Sequence, residues 1–152
     1  MIIVSACLLG KNCKYNGGNN RNEAVLDFLE GPEERYYASV CPEEAGGLPT
    51  PRDPSERQPD GRILTCKGDD VTAAFTEGAA CEWQRVLELS QEFQLPIQGA
   101  ILKAKSPSCG CGQIYDGTFT GTLTDGDGVF AALLKEKGIP VRTEKDFKSK
   151  EK

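Results

Sequence analysis

Apolar residues fall into short runs separated by polar, glycine- and proline-rich stretches, and the period changes from run to run. Ile2-Ile3-Val4, Tyr36-Tyr37-Ala38-Ser39-Val40 and Ala100-Ile101-Leu102 are too short for helices and nearly continuous in apolar character. They predict buried parallel strands over Met1 to Ala6, about Arg35 to Val40, and Ile97 to Lys103. Between them the pattern turns helical. Ala24, Val25, Phe28 and Leu29 share one face of a helix over Asn22 to Glu30, with Asn20 or Asn22 as cap and Gly31-Pro32 as stop. Val71, Phe75, Ala79, Val86, Leu87 and Phe93 form the stripe of a long helix from Val71 to about Gln94, capped by Asp69-Asp70 and weakened at Gly78. A further helix, Val129 to Lys137, starts at Asp125 or Asp127 and ends at Gly138 and Pro140.

The remaining segments read as connections and edges. Leu8 to Gly18 is a glycine-rich loop, and Gly46 to Asp60 carries enough prolines to predict a stiff, ordered covering. Ile63 to Cys66 predicts a short strand or edge. Ile114 to Leu123 alternates around Asp116-Gly117 and predicts a hairpin. Ile139 to Arg142 predicts a last strand, with Pro140 favouring an edge. Strands alternating with helices, at intervals long enough for crossovers, predict an α/β fold: one domain over residues 1–147, a mainly parallel open sheet flanked by helices, and a solvated tail at 148–152.

Composition narrows the chemistry. The 152 residues suit one domain, and a net charge of -5 argues against a basic face for nucleic acid or anionic membranes. The amino terminus lacks the basic region of a signal peptide, and no apolar run approaches the ~20 residues of a membrane span. A soluble cytoplasmic protein is expected. Seven cysteines, an odd number without a secretory signal, argue for metal or thiol chemistry over a disulfide scaffold. Histidine is absent, which removes Ser-His and Cys-His dyads, the two-histidine iron triad and Cys₂His₂ zinc sites. Any general base is Asp, Glu, Lys, Tyr or Cys.

Cys7, Cys41 and Cys109 each follow one of the predicted strands at its C-terminal end, the edge where open α/β sheets assemble ligand sites. That placement predicts one cluster of three thiolates. Thiolates are soft ligands that select zinc, copper(I) or iron-sulfur clusters, and no C-x₂-C clip is present; the nearest pairs are Cys7 with Cys13 and Cys109 with Cys111. A cubane cluster usually takes four cysteines; held by three, it leaves one iron open as a Lewis acid. Gly10, Gly46-Gly47, Gly110 and Gly112 would let backbone N–H groups approach such an anion. Cys66 and Cys81 read as small buried cysteines. Glu43, two residues after Cys41 and turned by Pro42, is either a general base or a solvated loop acid. Ser106 and Ser108 flank Pro107 as substrate hydrogen-bonding groups or plain turn residues, and Arg52 is an electrostatic clamp or a surface arginine. Asp125-Gly126-Asp127-Gly128 lacks the remaining spacing of a calcium loop and reads as a helix start.

Seven blocks carry a resemblance: SACLLG from Ser5, CKYNGG from Cys13, CPEEAGGLPTPR from Cys41, GDDVT from Gly68, AILKAKSPSCG from Ala100, IYDGTFTG from Ile114 and GDGVFAALL from Gly126. In this order, over nearly the whole chain, they resemble the 2-thiouracil desulfidase family. The resemblance implies a single α/β domain with a [4Fe-4S] cluster on Cys7, Cys41 and Cys109. It implies a non-redox reaction in which the open iron takes the sulfur of a thiocarbonyl, as in a thionated nucleobase. It further implies that water activated by Glu43 attacks the carbon and that sulfide is released. A serine of SPSC, Ser106 before Ser108, would position the heterocycle, and Arg52 would contact it. Asn16 stands where aspartate is common, Glu44 is a second candidate base, and Cys13 and Cys111 are alternative ligands or sulfur relays. Two other classes stay open: a persulfide carrier using Cys109 or Cys111, and a structural zinc module on Cys7, Cys41, Cys109 and Glu43.

Overall fold

A computed structural model describes residues 1–31 and 35–147; the expected tail and the Pro32 stop lie outside the described residues. In chain order the elements are β1 (Ile2–Ser5), α1 (Glu23–Glu30), β2 (Tyr37–Val40), α2 (Pro42–Ala45), β3 (Ser55–Arg57) and β4 (Ile63–Thr65). They continue with α3 (Thr72–Phe93), β5 (Gly99–Leu102), β6 (Gln113–Tyr115), β7 (Leu123–Asp125), α4 (Val129–Glu136) and β8 (Val141–Thr143). Single 3-10 turns follow β1 at Ala6–Leu9 and β8 at Glu144–Asp146.

β2, β1, β5 and β8 pair in that order as an all-parallel sheet. The faces are covered unequally. Ile3, Val40, Ala100 and Leu102 pack with Ala79 and Val86 of α3 and with Phe130 and Leu134 of α4. Ile2, Val4 and Ile101 pack on the other side with Val25 and Leu29 of α1 and with Leu8. Helices on both faces explain why the inner strands β1 and β5 read as unbroken apolar runs. β2 lies at one edge and alternates, with Tyr37 and Ser39 outward and Ala38 and Val40 inward. β8 is the other edge, as Pro140 predicts. Each fully buried Phe, Leu, Ile or Val contributes roughly 1.5–3 kcal/mol, so Phe130, Ile3 and Leu102 anchor the α3/α4 side and Val4, Leu8 and Leu29 the α1 side.

The predicted architecture stands, with local corrections. The proline-rich loop contains a strand: β3 pairs antiparallel with β4, and the Thr50-Pro51 bond ahead of it is cis. The hairpin is β6 with β7, but Asp116-Gly117 lies within a seven-residue connection rather than a two-residue turn. Asn22 caps α1 by accepting from Val25 N–H at 3.0 Å. The expected aspartate start of α4 is absent. Gly128 is its N-cap, and Asp127 turns instead to Gly112 N–H and Lys135. Phe93, assigned to the α3 stripe, is exposed.

Gly78 also serves differently from its reading as a weak point. A Cβ there would stand 1.8 Å from Pro42 O, and one at Gly46 would stand 2.0 Å from Ala74 O. The two glycines let the short helix α2 lie directly on α3, which fixes Cys41 at the sheet edge. Gly46 and Gly110, expected to open space for a bound anion, are spent on backbone packing within the protein.

Candidate active site

Parallel pairing brings the C-terminal ends of β2, β1 and β5 side by side, with Ser5 opposite Val40 and Val4 opposite Ile101. From these ends Cys41, Cys7 and the Ser106–Cys109 corner reach one cavity of ≈ 570 Å³, lined by all three thiol-bearing residues together with Glu43, Arg52, Ser106 and Ser108.

Each arm is fixed by polar groups. Ser5, buried at the end of β1, accepts from Lys103 N–H at 2.9 Å and so ties β1 to the segment leaving β5. Cys7 lies in the following 3-10 turn, whose carbonyl accepts from Gly10 and Asn20 N–H. Cys41 is the N-cap of α2, and its N–H donates to Glu82 Oε2 at 2.8 Å. Glu82 is buried in α3 and its other oxygen accepts from Arg85. The Cys109 corner is closed by its own N–H donating to Ser106 Oγ at 2.7 Å. It is clamped from outside as well: Val129 N–H donates to Pro107 O and Phe130 N–H to Ser108 O, so the corner caps the start of α4. Gly128 permits this contact, since a Cβ there would lie 2.4 Å from Ser108 C.

Burial pushes the Cys109 thiol up to about 12, partly opposed by hydrogen bonds from Ser5 and Ser108. Burial likewise raises Cys7, with the Asn20 side chain opposing it. The contact between Cys13 and Cys41 holds Cys41 below the ordinary thiol value and raises Cys13. Metals take thiolates, so loading such a site displaces protons from Cys7 and Cys109.

Glu43 has a partner on each oxygen: Arg52 Nε donates to Oε1 at 3.0 Å and Ser108 Oγ donates to Oε2 at 2.9 Å. Arg52 is not a surface residue. Its side chain is 9% exposed, and it also donates to Cys13 O at 2.9 Å and to Thr50 Oγ1 at 2.8 Å. The covering loop therefore orients Glu43. Glu44 points elsewhere, to Thr50 and Lys11, which hold its carboxyl below the usual range, the Thr50 bond contributing most. Ser106 Oγ lies 3.3 Å from Ser108 Oγ. Because the Ser108 proton is directed to Glu43, Ser106 is the donor of this pair and the serine whose O–H can turn to a ligand instead.

The other cysteines sort differently from expectation. Cys66 and Cys81 are exposed, not buried, because β4 ends before Cys66 and Cys81 sits on the outer face of α3. Cys66 and Cys13 also line the cavity, whereas Cys111 lies outside it with its thiol on Val141 O at 3.8 Å. Among the described residues no three Cys, Asp or Glu side chains converge on a single-ion point. Glu82 escaped the sequence reading, though a charged residue between Ala79 and Val86 on the apolar stripe was its signal. Tyr15, Glu56, Lys103, Tyr115 and Phe119 also line the cavity and went unmarked.

Comparison with known proteins bears directly on this arrangement. Residues 2–146 match the family model described as 2-thiouracil desulfurase. A solved structure of a [4Fe-4S]-dependent thiouracil desulfidase, TudS, is 44% identical, superposes with a TM-score of 0.79, and covers 95% of this chain and 91% of its own. An uncharacterized protein of Bacillus subtilis, YbbK, is 39% identical over 156 residues, covering 97% of each chain. With the whole sheet and its cavity inside the matched span, the chain is an enzyme of the 2-thiouracil desulfurase family.

Proposed function

We propose that this chain removes sulfur from a thionated nucleobase or related thioamide without redox change, holding a [4Fe-4S] cluster on Cys7, Cys41 and Cys109. One observation carries this reading: the three strand-end cysteines and the Arg52–Glu43–Ser108 chain line the same cavity. The donor set fits. Cys7, Cys41 and Cys109 are soft thiolate donors that line one cavity, the donor type that iron-sulfur clusters take. Glu43, the fourth donor of the zinc-module alternative, is already held by Arg52 and Ser108, and the place of Cys111 outside the cavity disfavours it as a persulfide carrier.

When bound, the cluster supplies an open, Lewis-acidic iron for the substrate sulfur. The protein supplies the rest. Glu43, held by Arg52 through one oxygen and by Ser108 through the other, retains lone pairs to take a proton from water in the cavity. Ser106 turns its O–H from Ser108 to the heterocycle and Arg52 lies beside it. The balance is C=S plus water giving C=O plus hydrogen sulfide, so no electron donor is required. Among the described residues no helix is long and apolar enough to cross a membrane, and the free thiols suit the reducing cytoplasm.

The test is turnover under argon with 2-thiouracil and no reductant. Uracil and sulfide should form in equal amounts, and exposure to air should stop the reaction. Iron-loaded protein that releases no sulfide from 2-thiouracil or other thionated bases contradicts the proposal.

A further inference from the structure

Glu56 and Phe119 stand apart from the groups given roles above. Glu56, on β3, is 8% exposed, lines the cavity, and has no cation paired with it among the described residues. Its Oε1 accepts from Gly117 N–H at 2.9 Å and Phe119 N–H at 3.1 Å, and Gln58 Nε2 donates to Gly117 O at 3.2 Å. A chain of Asp116, Thr118, Thr120 and Thr122 hydrogen bonds stiffens the same loop. Phe119 is held at φ +58, a left-handed conformation that bulky residues rarely adopt. Such strain persists only where the surroundings impose it, and it concentrates at ligand clamps.

Two groups are left unsatisfied by this construction. Phe119 is 36% exposed and lines the cavity, as do Tyr15 and Tyr115. Glu56 Oε2 takes part in no hydrogen bond or ion pair among the described residues. Nor is Oε2 sealed in protein, because no fully enclosed side-chain nitrogen or oxygen there lacks a partner. Oε2 is therefore accessible, on a residue that lines the cavity.

We infer that Glu56 Oε2 accepts a ring N–H of the substrate while Phe119 stacks on the ring face. The cavity then selects planar heterocycles bearing an N–H over N-alkylated or open-chain thioamides. This rests on the desulfidase reading. Glu56→Gln keeps an oxygen for the loop N–H groups and puts a donor where Oε2 stood, so the loop survives while the ring contact is lost.

The experiment uses the cluster-loaded protein under argon. It measures binding of uracil, which cannot react, and of 1,3-dimethyluracil, which has no ring N–H, alongside sulfide release from 2-thiouracil. Wild type should bind uracil at least about tenfold more tightly than the dimethyl compound, a margin typical of a hydrogen bond to a charged group. Glu56→Gln should erase that preference with Tm unchanged, and Phe119→Leu should weaken both ligands by about tenfold, a stacking loss. A Glu56→Gln variant that keeps the wild-type preference, or a Phe119→Leu variant with wild-type affinities, overturns the inference while sulfide release stands. Wild type that neither binds uracil nor releases sulfide overturns the desulfidase reading first.

Discussion

Serine in place of Cys7, Cys41 or Cys109 is expected to abolish cluster loading one variant at a time, with iron falling from about four per chain to near zero. Each is the cysteine nearest the end of its own strand in the cavity, and Cys13, further along the loop after β1, is the neighbouring thiol whose contribution has to be separated from theirs. Cys66→Ser and Cys81→Ser should keep full iron content, Cys81 because it lies on exposed helix surface and Cys66 because it sits across the cavity after β4. Cys13→Ser is the informative intermediate. Its thiol contacts Cys41 and lines the cavity, so it should load the cluster but with a changed visible spectrum. Iron and acid-labile sulfide assays on the six variants decide the assignment; full loading of Cys41→Ser rejects it.

Glu43→Gln should load the cluster normally and lose turnover by about 10²–10⁴-fold, the usual worth of a positioned general base. The substitution is nearly isosteric, and the amide oxygen can still accept from Arg52 or Ser108. Loss of rate would then reflect loss of the basic group and not of the fold. Initial rates with 2-thiouracil, paired with iron content, separate the two. A wild-type rate removes Glu43 from the chemistry. Glu44→Gln provides the contrast: its carboxylate is bound to Thr50 and Lys11 away from the cavity, so its rate should stay within about twofold of wild type.

The sheet was legible because its evidence is local. Buried parallel strands need continuous apolar residues, and Ile2-Ile3-Val4 and Ala100-Ile101-Leu102 supply them. Once strands run parallel, their C-terminal ends must share an edge, which is why Cys7, Cys41 and Cys109 could be grouped from placement alone. What closes the site was not legible. Ser108 meets Glu43 across 65 residues and Glu56 meets Gly117 across 61, pairings decided by how loops return over the cavity. Arg52 follows the same logic. Nothing in Thr50-Pro51-Arg52 distinguishes a buried clamp from a surface charge until the loop folds back on Cys13 and Glu43. The misassigned buried cysteines, Cys66 and Cys81, show the reverse failure: average burial of a residue type yielded to the particular turn and helix face. Gly78 shows it again, since helix propensity scored a cost where packing against Pro42 required the absence of a side chain.

The most direct measurement is iron and acid-labile sulfide in the chain purified strictly without oxygen, with its visible spectrum. About four of each per chain and broad absorption near ~400 nm are expected of a cubane cluster on Cys7, Cys41 and Cys109. Stoichiometric zinc, or no bound metal after attempted reconstitution, would contradict the account.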